Sequence, residues 1–111
     1  MKLSYDDHNT ISVLTVSGEL TDDQADTFRR VCLERFEAGA RDVVVQMEHM
    51  SLVDSAGLEL LLWLLEEVAE RSGQLRLVSP DETVSRILEV TRLDRRFNIH
   101  DSVESAAKSL R

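Results

Sequence analysis

The stretch that decides the fold is L-V-D-S-A-G-L-E-L-L, residues 52–61. Four small or polar residues, Asp54 to Gly57, separate a short apolar segment from a leucine-rich one. An acid or hydroxyl residue that precedes apolar residues at helical spacing marks the beginning of an α-helix. The stretch therefore predicts a helix that begins at Asp54 or Ser55, directly after strand-like sequence.

Buried strands flank this helix in the sequence. Asp42–Met47 contains V-V-V, which is typical of a strand covered on both faces, and Leu75–Val78 is a second short apolar segment. A loop, E-H-M-S-L-V at 48–53, connects the first strand to the helix, which is expected to run to about Ser72, with Gly73 ending it. Because strands joined through a helix lie parallel to each other, the centre of the sheet is predicted to be parallel.

The remaining elements continue this alternation towards both termini. They are strands at Leu3–Tyr5 and Thr10–Val16, a helix from T-D-D-Q at 21–24 to about Ala38, a helix from S-P-D-E at 79–82 to about Leu93, a strand at Phe97–His100 and a short helix capped by D-S-V-E at 101–104. In S-P-D-E, Ser79 is expected to be the cap and Pro80 the first helical residue. The sequence thus predicts one α/β domain over residues 1–111, with a mixed central sheet of four or five strands and about four helices packed on it.

Charge and composition narrow the classes of partner. The formal net charge of −8 disfavours nucleic acid and direct contact with an anionic membrane, and it suits a partner with a basic surface. The longest apolar run, Leu60–Leu65, is too short to span a bilayer, and the first residues carry no apolar signal core. The single cysteine, Cys32, has core spacing with Phe28 and Phe36, so a buried, reduced thiol is expected. These features predict a cytoplasmic protein.

The helix start at D-S-A-G differs from the other three predicted helix starts. Each of those pairs an acid or hydroxyl residue with Glu or Gln three positions later, whereas here that position is Leu58 or Gly57. A purely structural role would make Ser55 the N-cap and Gly57 a residue that allows close packing. Alternatively, the small side chains leave backbone N–H groups open to an anion or to a partner's backbone, at the end of the sheet where α/β proteins usually place their sites.

A catalytic serine is one functional interpretation of this stretch, and the sequence gives it little support. A nucleophile elbow would need glycine in place of Val53, and a triad would need a histidine with an acid partner. The three histidines, His8, His49 and His100, are scattered over predicted turns and strand ends. No His, Cys or acid pair has the spacing of metal ligands, so we expect no catalytic residue, no metal and no cofactor.

A phospho-acceptor aspartate is a second interpretation. Asp54 follows strand-like sequence, and the pair Asp6–Asp7 is similar to the acidic pair that holds Mg²⁺ in receiver domains. However, that pair precedes a predicted strand where a receiver domain has a helix. The only lysine near the C-terminus, Lys108, lies in the last helix and not after a late buried strand.

Phosphorylation of Ser55 by a separate kinase is the third interpretation. The chain has no Gly-rich phosphate loop and no basic catalytic cluster, so it is a candidate substrate and not a kinase. A phosphoserine adds about −1.5 to −2 charges at pH 7, which the N-terminus of a helix tolerates. A partner seated against Ser55 would then face a new dianion, which would make a switch without large refolding.

Four motifs together resemble one known family. They are G-E-L at 18–20, D-V-V-V-Q-M at 42–47, S-L-V-D-S-A-G-L at 51–58 and G-Q-L-R-L-V at 73–78. In this order they resemble a STAS domain, and most of all the bacterial anti-sigma factor antagonists. The resemblance covers essentially the whole chain, and D-S-A-G-L is its most specific part.

The resemblance implies a function and an acceptor residue. In that family the serine directly after the aspartate is phosphorylated by the anti-sigma factor, an ATP-dependent serine kinase, and the unphosphorylated antagonist binds this kinase and frees the sigma factor. The matching acceptor here is Ser55. Two positions depart from the family pattern: Thr21 follows G-E-L where many members have Asp, and Ala56 follows the acceptor where many members have Ser or Thr. STAS subunits of ABC-type phospholipid-transport complexes, which bind the ATPase subunit, therefore remain an alternative.

The predicted partner surface combines two helix starts. Parallel strands would bring them side by side, and the residues expected to touch the partner are Asp22, Asp23, Asp54, Ser55, Ala56, Gly57 and Leu58. In the second helix, the residues expected to face the core are Leu58, Leu61, Leu62, Leu65, Val68 and Ala69. Leu60, Trp63 and Leu64 then either pack beneath a neighbouring helix or form a second partner patch. A second copy of the chain is a further candidate partner.

Overall fold

The structure, a computed structural model, describes residues 1–110. The strands in these residues are β1 (Lys2–His8), β2 (Ile11–Leu20), β3 (Asp42–Gln46), β4 (Met50–Val53), β5 (Leu75–Val78) and β6 (Asn98–His100). The α-helices are α1 (Ala25–Glu37), α2 (Ser55–Glu70), α3 (Glu82–Val90) and α4 (Val103–Lys108), and short 3-10 turns at Asp22–Gln24 and Leu93–Arg95 precede α1 and β6. The predicted α/β class, with a mixed sheet and four helices, is confirmed, and the described sheet has six strands.

The sheet is parallel apart from one edge. Its order is β1-β2-β3-β5-β6, with β1 antiparallel to β2 and the other pairs parallel. The strand missed by the sequence prediction is β4, which occupies part of the expected loop at 48–53. It pairs with Gly18–Leu20, the end of β2 that extends beyond the segment Ile11–Thr15 paired with β3. This extension carries the sheet past the end of β3 and positions the start of α2.

Two boundaries differ from the prediction because of backbone conformation. The β1–β2 turn is tighter than D-D-H-N, since Asp6 to His8 remain paired and Asn9 turns the chain at a φ of 58°. The expected cap Ser79 has a φ of 52°, so it cannot take the extended conformation of an N-cap. Asp81 is the cap of α3 instead, and its Oδ1 accepts the Val84 N–H at 2.8 Å.

The buried face of α2 is rotated relative to the predicted stripe. Its buried residues are Gly57, Leu60, Leu61, Leu64 and Val68, whereas Leu58, Leu62 and Leu65 are only partly buried and Ala69 is exposed. Leu60 and Leu64 belong to the main core, so the alternative that they form a partner patch is wrong. Trp63 is partly buried and packs against the same core.

Cys32 lies in the core, as predicted. It is 1% exposed in α1, and burial raises the pKa of its thiol to about 12. The thiol is therefore protonated at any physiological pH, and it forms no disulfide. Within residues 1–110, none of the helices has the length and apolar character needed to cross a membrane.

Candidate functional site

The two helix starts singled out in the sequence lie side by side. In the parallel pair of β2 and β4, Leu20 is in register with Val53, and the Asp54 N–H donates to the Leu20 carbonyl oxygen at 3.4 Å. One helix start follows each of these two strand ends. We use the term Ser55 corner for Asp22, Asp23 and residues 54–58, which the paired strands bring to one end of the sheet.

Asp54, and not Ser55, is the N-cap of α2. Its Oδ1 accepts the Gly57 N–H at 2.8 Å, and its carbonyl oxygen accepts the Leu58 N–H at 2.9 Å. Ser55 is the first helical residue and is exposed, and its hydroxyl forms no hydrogen bond with any residue in the described chain. The structural explanation that made Ser55 the cap is therefore wrong. The Ser55 hydroxyl thus has no structural role in these residues and is open to reaction from the solvent.

Gly57 faces inward. A Cβ at this position would lie 2.1 Å from the Leu20 carbonyl oxygen and 2.6 Å from Val53 Cγ2. The absence of a side chain thus allows α2 to approach the β2 backbone, and the residue is buried. The interpretation that Gly57 opens the helix start to a ligand or to a partner's backbone is wrong, and Gly57 shapes the Ser55 corner without offering surface of its own.

The start of α1 contains the predicted capping interaction. The Gln24 side-chain oxygen accepts the Thr21 N–H at 3.1 Å and the Thr21 hydroxyl at 2.7 Å. This leaves Asp22 and Asp23 exposed within the 3-10 turn. Their carboxylates therefore lie on the surface at the end of the sheet that also carries the start of α2.

The structure brings no histidine to Ser55 among residues 1–110. His8 pairs with Asp6 at 2.9 Å, His100 Nδ1 is 3.0 Å from Ser105 Oγ, and His49 is 4.0 Å from Glu48. A serine nucleophile would need such a base within hydrogen-bond reach. In the same described residues, no group of three or more His, Cys, Asp or Glu could hold a metal ion.

The geometry also rejects the receiver-type interpretation. Asp7 is in register with Ser12, near the beginning of β2, and forms an ion pair with Arg35. Asp54 directly follows Val53, which is in register with Leu20 at the end of β2. Eight residues of strand separate Ser12 from Leu20, which is about 26 Å. Asp6–Asp7 therefore cannot share a cation with Asp54.

The loops at the two ends of the sheet differ in charge. The segments that follow the carboxyl ends of the parallel strands (residues 21–24, 47–49, 54, 79–81 and 101–102) contain six acids and no lysine or arginine. These acids are Asp22, Asp23, Glu48, Asp54, Asp81 and Asp101. The segments at the opposite end (9–10, 38–41, 71–74 and 91–97) contain five arginines and one acid. Ser55 thus lies at the end of the sheet with acidic loops, whereas the arginines of the opposite loops share their end with acids of the strands, such as Asp7, which pairs with Arg35, and Asp42, which pairs with Arg41.

Two exposed residues beside the Ser55 corner were missed by the sequence analysis. The pairing of β2 with β4 shifts register between Gly18 and Glu19, so that Gly18 pairs with Met50 but Glu19 pairs with Leu52. This irregularity lets both ends of β4 be buried while Leu52 is 38% exposed. Glu19 is also exposed. The residue letters S-L-V carry no signal for this, because the exposure depends on the pairing.

The family model of the STAS domain matches residues 2–106 of the chain. A Thermotoga maritima protein named "Putative anti-sigma factor antagonist" is 28% identical over 102 residues, which covers 91% of this chain and 90% of that protein. The anti-sigma-B factor antagonist of Staphylococcus aureus is 26% identical over 89 residues, covering 80% and 82%. The structure of the anti-sigma factor antagonist SpoIIAA in its unphosphorylated form has a TM-score of 0.83 at 19% identity over 97% of this chain and 95% of that one, which shows a common fold.

Proposed function

The chain belongs to the STAS domain family, and on this premise we propose that it is an anti-sigma factor antagonist that binds an anti-sigma factor serine kinase and is switched off by phosphorylation at Ser55. The coarser part of this statement rests on relatives that match most of the chain and carry that name. The observation that carries the finer part is the state of Ser55. It is the exposed first residue of α2, and its hydroxyl is unused by the fold.

Ser55 acts as an acceptor and the kinase supplies the catalysis. In the transfer, Ser55 Oγ forms a bond to the γ-phosphorus of ATP, the bond from that phosphorus to the β-phosphate bridging oxygen breaks, and ADP leaves. The hydroxyl proton passes to a base of the kinase, since no histidine of residues 1–110 is within hydrogen-bond reach of Ser55. The proposed role of this chain is thus to bind and to present a serine, without an activity of its own.

A phosphate on Ser55 would act mainly on the partner. The N-terminus of α2 favours an anion by about 0.3–1 kcal/mol, which supports the modified fold. The neighbouring carboxylates of Asp54, Asp22 and Asp23 oppose the new dianion, so the two effects on stability partly cancel. A kinase surface packed on this corner would lose affinity, because the phosphate adds a bulky dianion at a contact fitted to a bare hydroxyl, and burying it against the neutral surface of the helix start costs desolvation energy.

The proposed contact surface is the Ser55 corner. Asp22, Asp23 and Asp54 would supply charge, and Ser55, Ala56 and Leu58 would supply the neutral surface of the helix start. Gly57 contributes indirectly, by allowing α2 to lie close to Leu20. A basic partner surface fits this set of carboxylates.

The test is incubation of the full chain with its cognate anti-sigma factor kinase and ATP, followed by mass spectrometry of the peptide that contains Ser55. We expect one phosphate on Ser55 and loss of kinase binding after its transfer. Ser55→Ala should abolish incorporation and keep binding, and Ser55→Asp should weaken binding less than phosphate does, because it adds about one charge.

Ser51→Ala is the matched control, because Ser51 is an exposed hydroxyl four residues earlier on β4. It should leave both incorporation and binding unchanged. Full binding of the kinase by the wild type without phosphate on Ser55 would refute the switch. The transporter-subunit alternative would be favoured if the wild type showed neither kinase binding nor phosphate on Ser55.

A further inference from the structure

The register shift in β4 exposes an apolar side chain beside the proposed acceptor. Met50 and Val53 at the two ends of β4 are buried, whereas Ser51 and Leu52 between them are exposed. A regular strand would point Met50 and Leu52 to the same face. The irregularity breaks this alternation and turns Leu52 outward, three residues before Ser55. Bulges of this kind often lie next to functional sites, where they re-aim a side chain.

Glu19 lies next to Leu52 on the neighbouring strand. The two residues are in register in the parallel pair, and the buried pair of Leu20 and Val53 follows directly. The exposed surface of the Ser55 corner therefore continues from Asp22 and Ser55 onto β2 and β4. In this surface Leu52 is exposed and Leu58 is half-buried, and the other residues are acidic or small.

The chemistry of phosphoryl transfer indicates what approaches this surface. A kinase holds the phosphates of ATP with cationic side chains and metal ions, so the region around its catalytic cleft is rich in positive charge. Ser55 must reach the γ-phosphate in that cleft. The six acids in the loops at the same end of the sheet outnumber Lys2, which β1 brings to this end in register with Ser17, and they complement such a surface.

We propose that Leu52 and Glu19 extend the Ser55 corner into a docking surface for the serine kinase, with Leu52 as the apolar anchor and the surrounding carboxylates as a charged rim. This inference rests on the proposed function, because the occupant is the kinase that modifies Ser55. An apolar centre within a polar rim is the usual anatomy of a specific interface. Because Leu52 lies away from the reacting atoms, it contributes equally to binding in the ground state and in the transition state. Its loss therefore raises KM for the protein substrate more than it lowers kcat.

The chain offers a closely matched control for Leu52. Leu33, in α1, is 39% exposed against 38% for Leu52, so both substitutions remove a leucine of similar exposure. Leu52→Ser should raise the Kd for the cognate kinase, and the KM for this protein as substrate, tenfold or more, with kcat within twofold. Leu33→Ser should leave all three constants unchanged, and Leu52→Met should stay near the wild type.

The outcomes separate this inference from the proposed function. If the wild type is bound and phosphorylated but Leu52→Ser behaves like Leu33→Ser, the anchor is refuted and the switch at Ser55 stands. If the wild type is neither bound nor phosphorylated, the proposed function fails and the anchor with it. Should Leu52→Ser lose its far-UV circular dichroism, Glu19→Lys decides the question: a raised KM supports the surface, and a KM equal to that of the exposed control Glu37→Lys refutes it.

Discussion

Replacing Gly57 by alanine distinguishes two explanations of why position 57 is a glycine, because they predict opposite changes in the free energy of unfolding. If Gly57 merely left the first turn of α2 open to solvent, alanine would stabilise the helix by up to about 1 kcal/mol, because glycine is the poorer helix former. The structure indicates the opposite sign. A Cβ would lie 2.1 Å from the Leu20 carbonyl oxygen, a separation that real Cβ atoms essentially never show.

The size of the effect follows from what must move. Relief of the contact to at least 3.0 Å requires α2 and β2 to separate by about 1 Å, and the displaced group is the backbone of a paired strand. Overpacking of this kind costs about 1–3 kcal/mol and occasionally more. We place Gly57→Ala at the upper end, so that after the gain in helix propensity the protein loses about 2 kcal/mol or more. For a chain of this size, the melting temperature would fall by about 10 °C.

Urea unfolding, followed by circular dichroism and by the fluorescence of the single tryptophan, Trp63, measures this loss. The matched control is Ala69→Gly at an exposed position of the same helix, which should cost about 1 kcal/mol from propensity alone. An unchanged or increased free energy of unfolding for Gly57→Ala would refute the packing argument. The result also bears on binding experiments, since a bulky substitution at Gly57 would test the fold and not the surface.

Three further predictions concern α2 and the core. Asp54→Ala should lower the free energy of unfolding by about 0.5–2 kcal/mol, because the N-cap is lost. Ser55→Ala should change it by less than about 0.5 kcal/mol, and urea unfolding measures both values. Leu64→Ala should lower the free energy of unfolding by about 2–5 kcal/mol in the same assay, because Leu64 is fully buried. A loss below about 1 kcal/mol would contradict its place in the core. Cys32 should react with a thiol reagent at pH 8 only after unfolding. Because folding raises the pKa of this thiol from 9.0 to about 12, the unfolded state loses its proton first, so stability should fall above pH 9 more steeply in the wild type than in Cys32→Ala.

Elements with a strong local signal could be predicted from the sequence. The V-V-V strand and the capping pair of Thr21 and Gln24 agree with the structure because each depends on residues close together in the chain. The position of Ser55 at the start of α2 follows from the same kind of local pattern. The adjacency of the two helix starts could also be inferred, since parallel strands bring their carboxyl ends together.

Features that depend on tertiary pairing could not be predicted. The strand β4 has only four residues, and its register shift removes the alternation that marks a half-buried strand. The helix α2 has apolar residues around much of its circumference, so its pattern could not fix which leucines face the core. Gly57 shows the same limit, because the letter G does not reveal whether the missing side chain faces solvent or the Leu20 carbonyl.

The difference in charge between the loops at the two ends of the sheet has a consequence for encounter rates. The ends are separated by about the length of β2, roughly 30 Å for ten residues, whereas the Debye length at physiological ionic strength is about 8 Å. A basic partner that approaches the acidic end is therefore attracted by that end almost alone, and the distant arginines neither repel it nor reduce the attraction. The molecule would be turned so that Ser55 leads before contact is made. Association would accordingly be accelerated by the acidic loops around Ser55, and it would slow steeply as salt is added.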